Sequence, residues 1–238
     1  MKRTQLKQNA LQQGAATDEA AEDASQKPYH RKDLRKDLLQ AALELTIERN
    51  GPAFSLRELA AREKVTHTAV YRHFADKASI FSELSREGFE LLATYQRETA
   101  DLAGLPPLER LELLGATYVR FARDNPGFFR VMFDTNLSGA REETKQGERA
   151  AFANLVELVR ECQDAGELLP VDASAIATYL ILAPHGMAHF GNIGHLNHLF
   201  EGGAPDALAV DVQRLSLAPF RTTPYSASEI SAIVGRLG

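Results

Sequence analysis

The chain has 238 residues, of which 44% are hydrophobic and 25% are charged, and its formal net charge is −5. This composition favours a globular protein with a sizeable core, and the absence of any run of roughly 18 to 20 apolar residues argues against a membrane span. The polar start lacks an apolar signal segment, so we expect a cytoplasmic protein. A single cysteine, Cys162, excludes an internal disulfide and a multi-cysteine zinc site.

The charge is distributed unevenly along the chain. Residues 30–77 hold ten Lys and Arg against seven Asp and Glu, whereas residues 78–238 hold thirteen against twenty-one. A basic segment attached to an acidic body can present one face to phosphate groups. The charge distribution therefore favours residues 30–77 as the segment that faces nucleic acid.

Residues 1–29 are rich in Gln, Ala and charged side chains and contain few large apolar ones. Such a segment cannot bury enough surface to offset the entropy of ordering, so we predict a disordered N-terminal arm. Lys2, Arg3 and Lys7 would allow this arm to contact DNA phosphates or a minor groove. A tail with no partner is the alternative.

A first helix is predicted over about residues 31–50, because apolar residues recur there at spacings of four and three. Its buried face would consist of Leu34, Leu38, Ala41 and Leu45. We expect Gly51 to be the left-handed residue that ends the helix and Pro52 to prevent its continuation.

Two short helices follow, joined by a tight turn. Ser55 and Glu58 have the spacing of a capping box, so the second helix should begin there, with Leu56, Leu59 and Ala60 facing inward. Thr66 can cap a third helix after the turn at residues 63–65. Two short helices joined by about three residues are typical of a helix-turn-helix.

The rest of the chain is predicted to be helical. Asp76 should cap a fourth helix that runs to about residue 103, and helices follow at about 107–124, 126–133, 140–166, 172–191 and 226–237. Residues 192–225 are interpreted as a stretch broken by Gly and Pro. The sequence thus predicts an all-α fold, with domains at residues 30–77 and 78–238.

The third helix carries polar and aromatic donors on its outward face. His67 and Tyr71 lie four residues apart, as do Thr68 and Arg72, while Val70 and Phe74 form an inward stripe. Thr methyl groups, His67 and Arg72 can address base edges in a major groove. The remaining candidates suit phosphate oxygens, and the predicted DNA-binding set is Ser55, Lys64, Thr66, His67, Thr68, Tyr71, Arg72, His73 and Lys77.

The stretch GPAFSLRELAAREKVTHTAVYRHFADKASIFSEL resembles the DNA-binding domain of the TetR family of regulators. The matching motifs are the turn at Val65-Thr66, the Tyr-x-His-Phe pattern at residues 71–74, and Asp76-Lys77 before the fourth helix. The resemblance implies a homodimer that binds a palindromic operator and whose C-terminal domain binds an inducing small molecule. The family usually has Gly where this chain has Lys64. Because a left-handed residue other than Gly costs about a kcal/mol, we expect a slightly repacked turn.

The C-terminal part is similar to a branch of that family that bears a Trp-x-x-x-His-Gly signature. The His-Gly pair is present at residues 185–186, whereas Ile181 replaces the Trp. We expect a predominantly apolar, uncharged or weakly polar effector, with His185 as its polar partner. The candidate lining is Phe121, Phe128, Phe129, Met132, Tyr179, His185, Met187 and Phe190. Packing of His185 at a dimer seam is the alternative.

The favoured function is therefore a repressor released from DNA by a small molecule, with no enzymatic activity, cofactor or metal. We expect its dimer to be formed by the helices at about 172–191 and 226–237. One alternative is a metal-responsive regulator that uses His185, His189, His195 and His198, of which the first two share a helix face. Another alternative is a DNA-binding protein without an effector.

Overall fold

The computed structural model describes residues 34–100, 102, 104–133, 142–192 and 205–237. The chain divides into two compact units, residues 1–34 and 35–238, and Leu34 alone of the first unit is described. The predicted arm at residues 1–29 lies outside the described residues, as do residues 193–204.

The described residues form ten α-helices and one short 3₁₀ helix. The helices are α1 (Leu34–Glu48), α2 (Leu56–Arg62), α3 (His67–Tyr71), α4 (Lys77–Ala100), α5 (Pro107–Asp124), α6 (Pro126–Phe133), α7 (Glu142–Asp164), α8 (Ala173–Asn192), α9 (Pro205–Leu217) and α10 (Ala227–Gly235), with the 3₁₀ helix at Ala218–Phe220. Within these ranges the only extended pairing is an isolated antiparallel bridge between Leu168 and Arg221. The all-α prediction is confirmed.

Helix α9 corrects the interpretation of residues 192–225 as a broken stretch. The helix begins with Pro205 at the first helical position, and Pro219 follows its end. Because proline usually indicates a loop, the sequence did not predict this helix. Its buried side includes Asp211 and Gln213, which are only 3% and 2% exposed. Gln213 interrupts the buried row of Ala209, Gln213 and Leu217, so the apolar spacing that would have predicted the helix is incomplete.

The predicted inward faces of the first three helices are buried. Leu38, Leu59 and Val70 are fully enclosed, and Phe74 after α3 is nearly so. The capping box at Ser55 is present: Glu58 donates its amide to the Ser55 hydroxyl and its carboxylate accepts from the Ser55 amide, at 3.2 and 2.7 Å. The buried side chains hold the three helices together, and the capping box fixes the start of α2.

Helix α1 ends at Glu48, two residues earlier than predicted. Asn50 is the αL residue that ends the helix, with a φ of 52°, and Gly51 follows it with a positive φ of 153°. Its amide donates to the carbonyl of Ile47 at 3.1 Å, and the amide of Gly51 donates to that of Thr46 at 2.9 Å. This is a Schellman motif, in which asparagine can take the place of glycine.

Helix α5 lies at the centre of the C-terminal helices and packs against α4, α7, α8 and α9. Its buried positions include Thr117, whose hydroxyl lies 2.7 Å from that of Thr99 on α4. Helix α7 buries an apolar face that includes Val156, Val159 and Cys162. Burial raises the pKa of the Cys162 thiol to about 12.

Ion pairs attach α10 to α9 near the C-terminus. The guanidinium of Arg236 donates to both carboxylate oxygens of Asp211, each at 2.7 Å. Arg214 on α9 donates to the buried Glu112 of α5 at 2.7 Å, and the hydroxyl of Tyr225 donates to the same carboxylate at 3.2 Å. These contacts fix the last helix although most of its own surface is exposed.

Candidate DNA-binding surface and ligand cavity

The turn between α2 and α3 keeps the left-handed conformation at Lys64, which has a φ of 54°. The amide of Lys64 donates to Ala61 at 3.2 Å and that of Val65 to Ala60 at 2.9 Å, the same Schellman pattern that ends α1. The expectation of a repacked turn was wrong. The hydrogen bonds of the motif retain the turn despite the side chain.

Helix α3 is short and its orientation is set from its ends. The hydroxyl of Thr66 accepts from the amide of Ala69 at 3.3 Å, as predicted for its N-cap. At the other end Arg35 of α1 donates to the carbonyl of His73 at 2.9 Å and lies over the Phe74 ring, 4.5 Å from its centroid. Arg35 also bonds Glu83 of α4, so α1, α3 and α4 share one junction.

The outward face of α3 presents the predicted donors together. His67 and Tyr71 form an edge-to-face pair with ring centroids 4.6 Å apart. Thr68, Tyr71 and Arg72 are exposed, and His67 and His73 are half-buried. Ser55, Lys64 and Thr66 are also exposed. This surface offers hydroxyl, imidazole, guanidinium and ammonium groups, all of which can donate to base edges or phosphate oxygens.

Lys77 is placed differently from the other candidates. Its ammonium donates to the carbonyl of Phe54 at 2.7 Å and to that of Pro52, and it lies 4.8 Å from the centroid of the Phe54 ring. Partial burial lowers its pKa. We therefore correct its predicted role: the side chain ties the start of α4 to the loop before α2 and is already used there.

A cavity of about 220 Å³ lies among α4, α5, α6, α7, α8 and α9. Most of its wall is apolar, and the apolar side chains are Phe89, Leu92, Leu114, Phe133, Ala151, Phe152, Leu155, Leu180, Ile181 and Pro184. The polar groups in the wall come from Gln96, Tyr118, Glu148 and Gln213. A largely apolar cavity with a few polar groups is typical of small-molecule sites.

The wall of this cavity contains none of the eight side chains predicted for the ligand. Phe121, Phe129 and Met132 pack in the adjacent core, with Phe128 at its margin. Met187 packs beside another small cluster, and Tyr179 and Phe190 are about half exposed. Periodicity identified the correct helices, but the predicted residues face the core or the solvent and not the cavity.

His185 lies behind the cavity wall. Its Nδ1 is 2.8 Å from the hydroxyl of Tyr118, which does line the cavity. Burial, and to a smaller degree the nearby His189, lower the pKa of His185, which favours the neutral imidazole. His185 therefore positions Tyr118, a residue that the sequence prediction missed because it lies within an otherwise apolar helix face.

The described residues contain no group of three or more His, Cys, Asp and Glu side chains that could hold a metal ion. Of the four histidines in the metal hypothesis, His195 and His198 lie outside the described residues. His189 is exposed on α8. In the described part of the chain, no helix combines the length and apolarity that crossing a membrane requires.

Comparison with known proteins places this geometry in a family. Residues 38–84 match the family of bacterial regulatory proteins named tetR, and residues 111–211 match the tetracyclin repressor-like C-terminal domain. Over 154 residues the chain is 30% identical to the nucleoid occlusion factor SlmA of Aliivibrio fischeri, which spans 62% of this chain and 78% of that protein. The chain belongs to the TetR family. Members of the TetR family are DNA-binding transcriptional regulators.

Two further similarities of this TetR-family chain differ in how much of it they cover. An HTH-type transcriptional repressor of Mycobacterium tuberculosis is 43% identical over 61 residues, which are 26% of this chain and 32% of that protein. A solved structure of a protein with unknown function from Rhodococcus sp. RHA1 superposes with a TM-score of 0.71 at 27% identity, covering 82% of this chain and 100% of that one. The chain thus has a local identity to a repressor, and its likeness in fold to the Rhodococcus protein covers most of the chain.

Proposed function

We propose that this TetR-family chain is a homodimeric repressor that a small molecule in the cavity releases from a palindromic operator. The observation that carries the proposal is that α4 forms part of the cavity wall while its first residue, Lys77, is bonded to the helix-turn-helix loop. A ligand that displaces α4 would therefore move the recognition helix. The proposal includes a DNA-binding domain at residues 30–77 and a sensor and dimerisation domain at residues 78–238.

We assign base readout to the face of α3 that points away from the core. His67, Thr68 and Arg72 would address base edges in the major groove. Tyr71 would contact phosphate, as would Ser55, Lys64, Thr66 and His73. Lys77 is left out of this set because its ammonium is used within the protein.

A second route from the cavity to the DNA-binding helices runs through α6. Phe133 at the end of α6 lines the cavity, whereas Gly127 near its start lies against α1. A Cβ at Gly127 would come within 2.9 Å of the Leu43 side chain, so α6 and α1 are in close contact. A molecule in the cavity would therefore displace both α4 and α6, which contact the DNA-binding helices. In the dimer this would change the distance between the two recognition helices, which must lie roughly 34–36 Å apart.

The exposed face of α8 supports dimerisation with a second copy of the chain. Tyr179, Leu182 and Phe190 are 47%, 64% and 45% exposed and lie on one side of this helix. Gly186 lies on the same side and has open space around its α-carbon, so a partner helix could approach closely. Large exposed apolar residues on one face are typical of protein interfaces.

We modify the prediction of which helices form the dimer interface. In chain order α9 lies between α8 and α10, the two helices predicted to form the interface, so these two are not consecutive. On α10, Ile230 and Val234 are 40% and 51% exposed. We propose α8 as the main contact and α10 as a smaller second contact, and deletion of residues 226–237 would test the second.

The dimer is tested with Leu182→Glu, which places a charge in the centre of the α8 face. We expect a monomer in sedimentation and a large loss of operator affinity, since a palindromic site needs two recognition helices. Leu169→Glu is the matched control, because Leu169 is exposed but lies outside the helices. A Leu182→Glu protein that sediments as a dimer would exclude this interface.

Operator recognition is tested by selecting DNA sequences with the wild-type protein. The His67→Ala and Thr68→Ala variants should select altered sequences, whereas Tyr71→Phe should weaken binding to all sequences similarly. An unchanged preferred sequence in both alanine variants would contradict the assigned base contacts. Release of the operator by a chelatable metal alone would favour the metal-responsive alternative, and failure of every small molecule in a broad screen would favour a regulator without an effector.

A further inference from the structure

The side-chain amide of Gln213 is an unusual part of the cavity wall. Gln213 is 2% exposed, and its Oε1 has no hydrogen-bond partner among the described residues. A buried carbonyl oxygen without a partner lowers stability, so most such groups are paired. An acceptor that lines a cavity can be satisfied by a donor on a bound molecule.

Gly115 on the facing helix α5 allows the amide to sit where it does. A Cβ at position 115 would lie 2.8 Å from both Oε1 and Cδ of Gln213. Any other residue there would therefore push the amide away from the wall that the two residues share. The close approach places the side-chain amide of Gln213, whose Oε1 is unpaired, in the cavity wall.

The other polar groups of the wall restrict the charge of a ligand. The lining contains no Lys or Arg, and its one ionisable carboxylate, Glu148, is exposed. The Tyr118 hydroxyl is already within hydrogen-bond distance of His185. An anion placed here would lose its hydration with no positive side chain to compensate, so the cavity disfavours it.

We infer that this cavity takes an uncharged, mainly apolar small molecule that donates a hydrogen bond, from a hydroxyl or an N–H, to Oε1 of Gln213. The inference deepens the proposed function and rests on it only in identifying this molecule with the effector. At about 220 Å³ the space is smaller than typical drug-sized sites, which begin near roughly 300 Å³. It exceeds a cavity of about 150 Å³ that holds benzene, so a molecule of one or two rings fits.

The experiment compares indole with benzofuran, which have nearly the same shape and differ in whether the ring carries an N–H donor. Their dissociation constants are measured by ligand-observed NMR with the full-length protein. We expect indole to bind roughly three- to tenfold more tightly than benzofuran, as a neutral hydrogen bond would give. Indole-2-carboxylate should bind more weakly than indole.

The matched variant is Gln213→Met, which keeps the length of the side chain and removes the acceptor. It should bring the indole to benzofuran ratio close to one, mainly by weakening indole, and it should fold at least as stably as the wild type because the unpaired oxygen is gone. Ala151→Leu, which fills the cavity from α7, should weaken both probes and so locate them. A Gln213→Met protein that retained the wild-type ratio would overturn the role of Gln213.

Three other results would overturn the inference as a whole: no saturable binding of either probe, benzofuran binding as tightly as indole to the wild type, or tightest binding by the carboxylate. Operator affinity and dimerisation are measured in the same preparations without probe. If the probes bind as expected but the protein neither dimerises nor binds DNA, the proposed function fails while the ligand class stands. If DNA binding and dimerisation hold while the probe preference is absent, the ligand class alone fails.

Discussion

Replacing Lys64 by glycine should stabilise the protein, because the wild-type side chain occupies a left-handed conformation in the turn of the helix-turn-helix. That conformation costs an L residue about 1–2 kcal/mol. Glycine removes this cost but loses roughly 0.5–1 kcal/mol more conformational entropy on folding. The midpoints of the two ranges give a net gain of about 0.75 kcal/mol in the free energy of unfolding, equivalent to a rise of about 2–3 °C in Tm for a chain of this size.

Reversible denaturation in urea measures this gain, with Lys64→Ala as the control. Alanine removes the same charge but keeps the Cβ, so it should show no comparable stabilisation. If Lys64 also contacts a phosphate, both variants should flatten the salt dependence of operator binding by a similar amount. A glycine variant no more stable than the alanine variant would refute the argument from backbone strain.

Three further outcomes follow from the buried and half-buried ionisable groups. Lys77→Met should lower the free energy of unfolding by about 2 kcal/mol, since it removes charged hydrogen bonds to two carbonyls, and should leave the salt dependence of operator binding unchanged. A flattened salt dependence with unaltered stability would instead indicate that Lys77 contacts phosphate. Because the pKa of His185 is lowered in the folded protein, protonation of the unfolded chain below about pH 6.5 should lower the free energy of unfolding. In denaturation curves His185→Gln should lose less of this free energy than the wild type between pH 7 and 5. Equal losses in the two proteins would contradict this. Arg236 holds the pKa of Asp211 below its usual value, so the ion pair should stabilise α10 above about pH 4 and be lost as the pH falls further. Asp211→Asn should therefore accelerate hydrogen exchange in α10 at pH 7. Unchanged exchange there would show that other contacts hold the helix.

Much of the fold could be predicted because the decisive signals were local. The capping box at Ser55, the cap at Thr66 and the apolar spacing of α1 each involve residues within a few positions of one another. Left-handed residues were harder to assign: Asn50 and Lys64 occupy positions where glycine is favoured, because the Schellman hydrogen bonds fix the backbone there.

The cavity could not be predicted in the same way, because it depends on which side of each helix meets its neighbours. Phe121 and Tyr118 lie three residues apart on α5, yet the first packs in the core and the second lines the cavity. Gln213 lies on α9, a helix that the sequence interpretation omitted, and the burial of its polar side chain helped to hide that helix. The partner of Lys77 is a backbone carbonyl more than twenty residues away, and no local pattern indicates such a contact.

The buried Cys162 has a practical consequence for spectroscopy. It is the only cysteine in the chain, its side chain is fully buried, and burial raises the pKa of its thiol to about 12, so maleimides and spin-label reagents should react with it slowly. A cysteine introduced at the exposed Arg72 would therefore accept a label selectively without removal of the native one. In a labelled dimer, electron–electron distance measurements would follow the separation of the two α3 helices directly as indole is titrated.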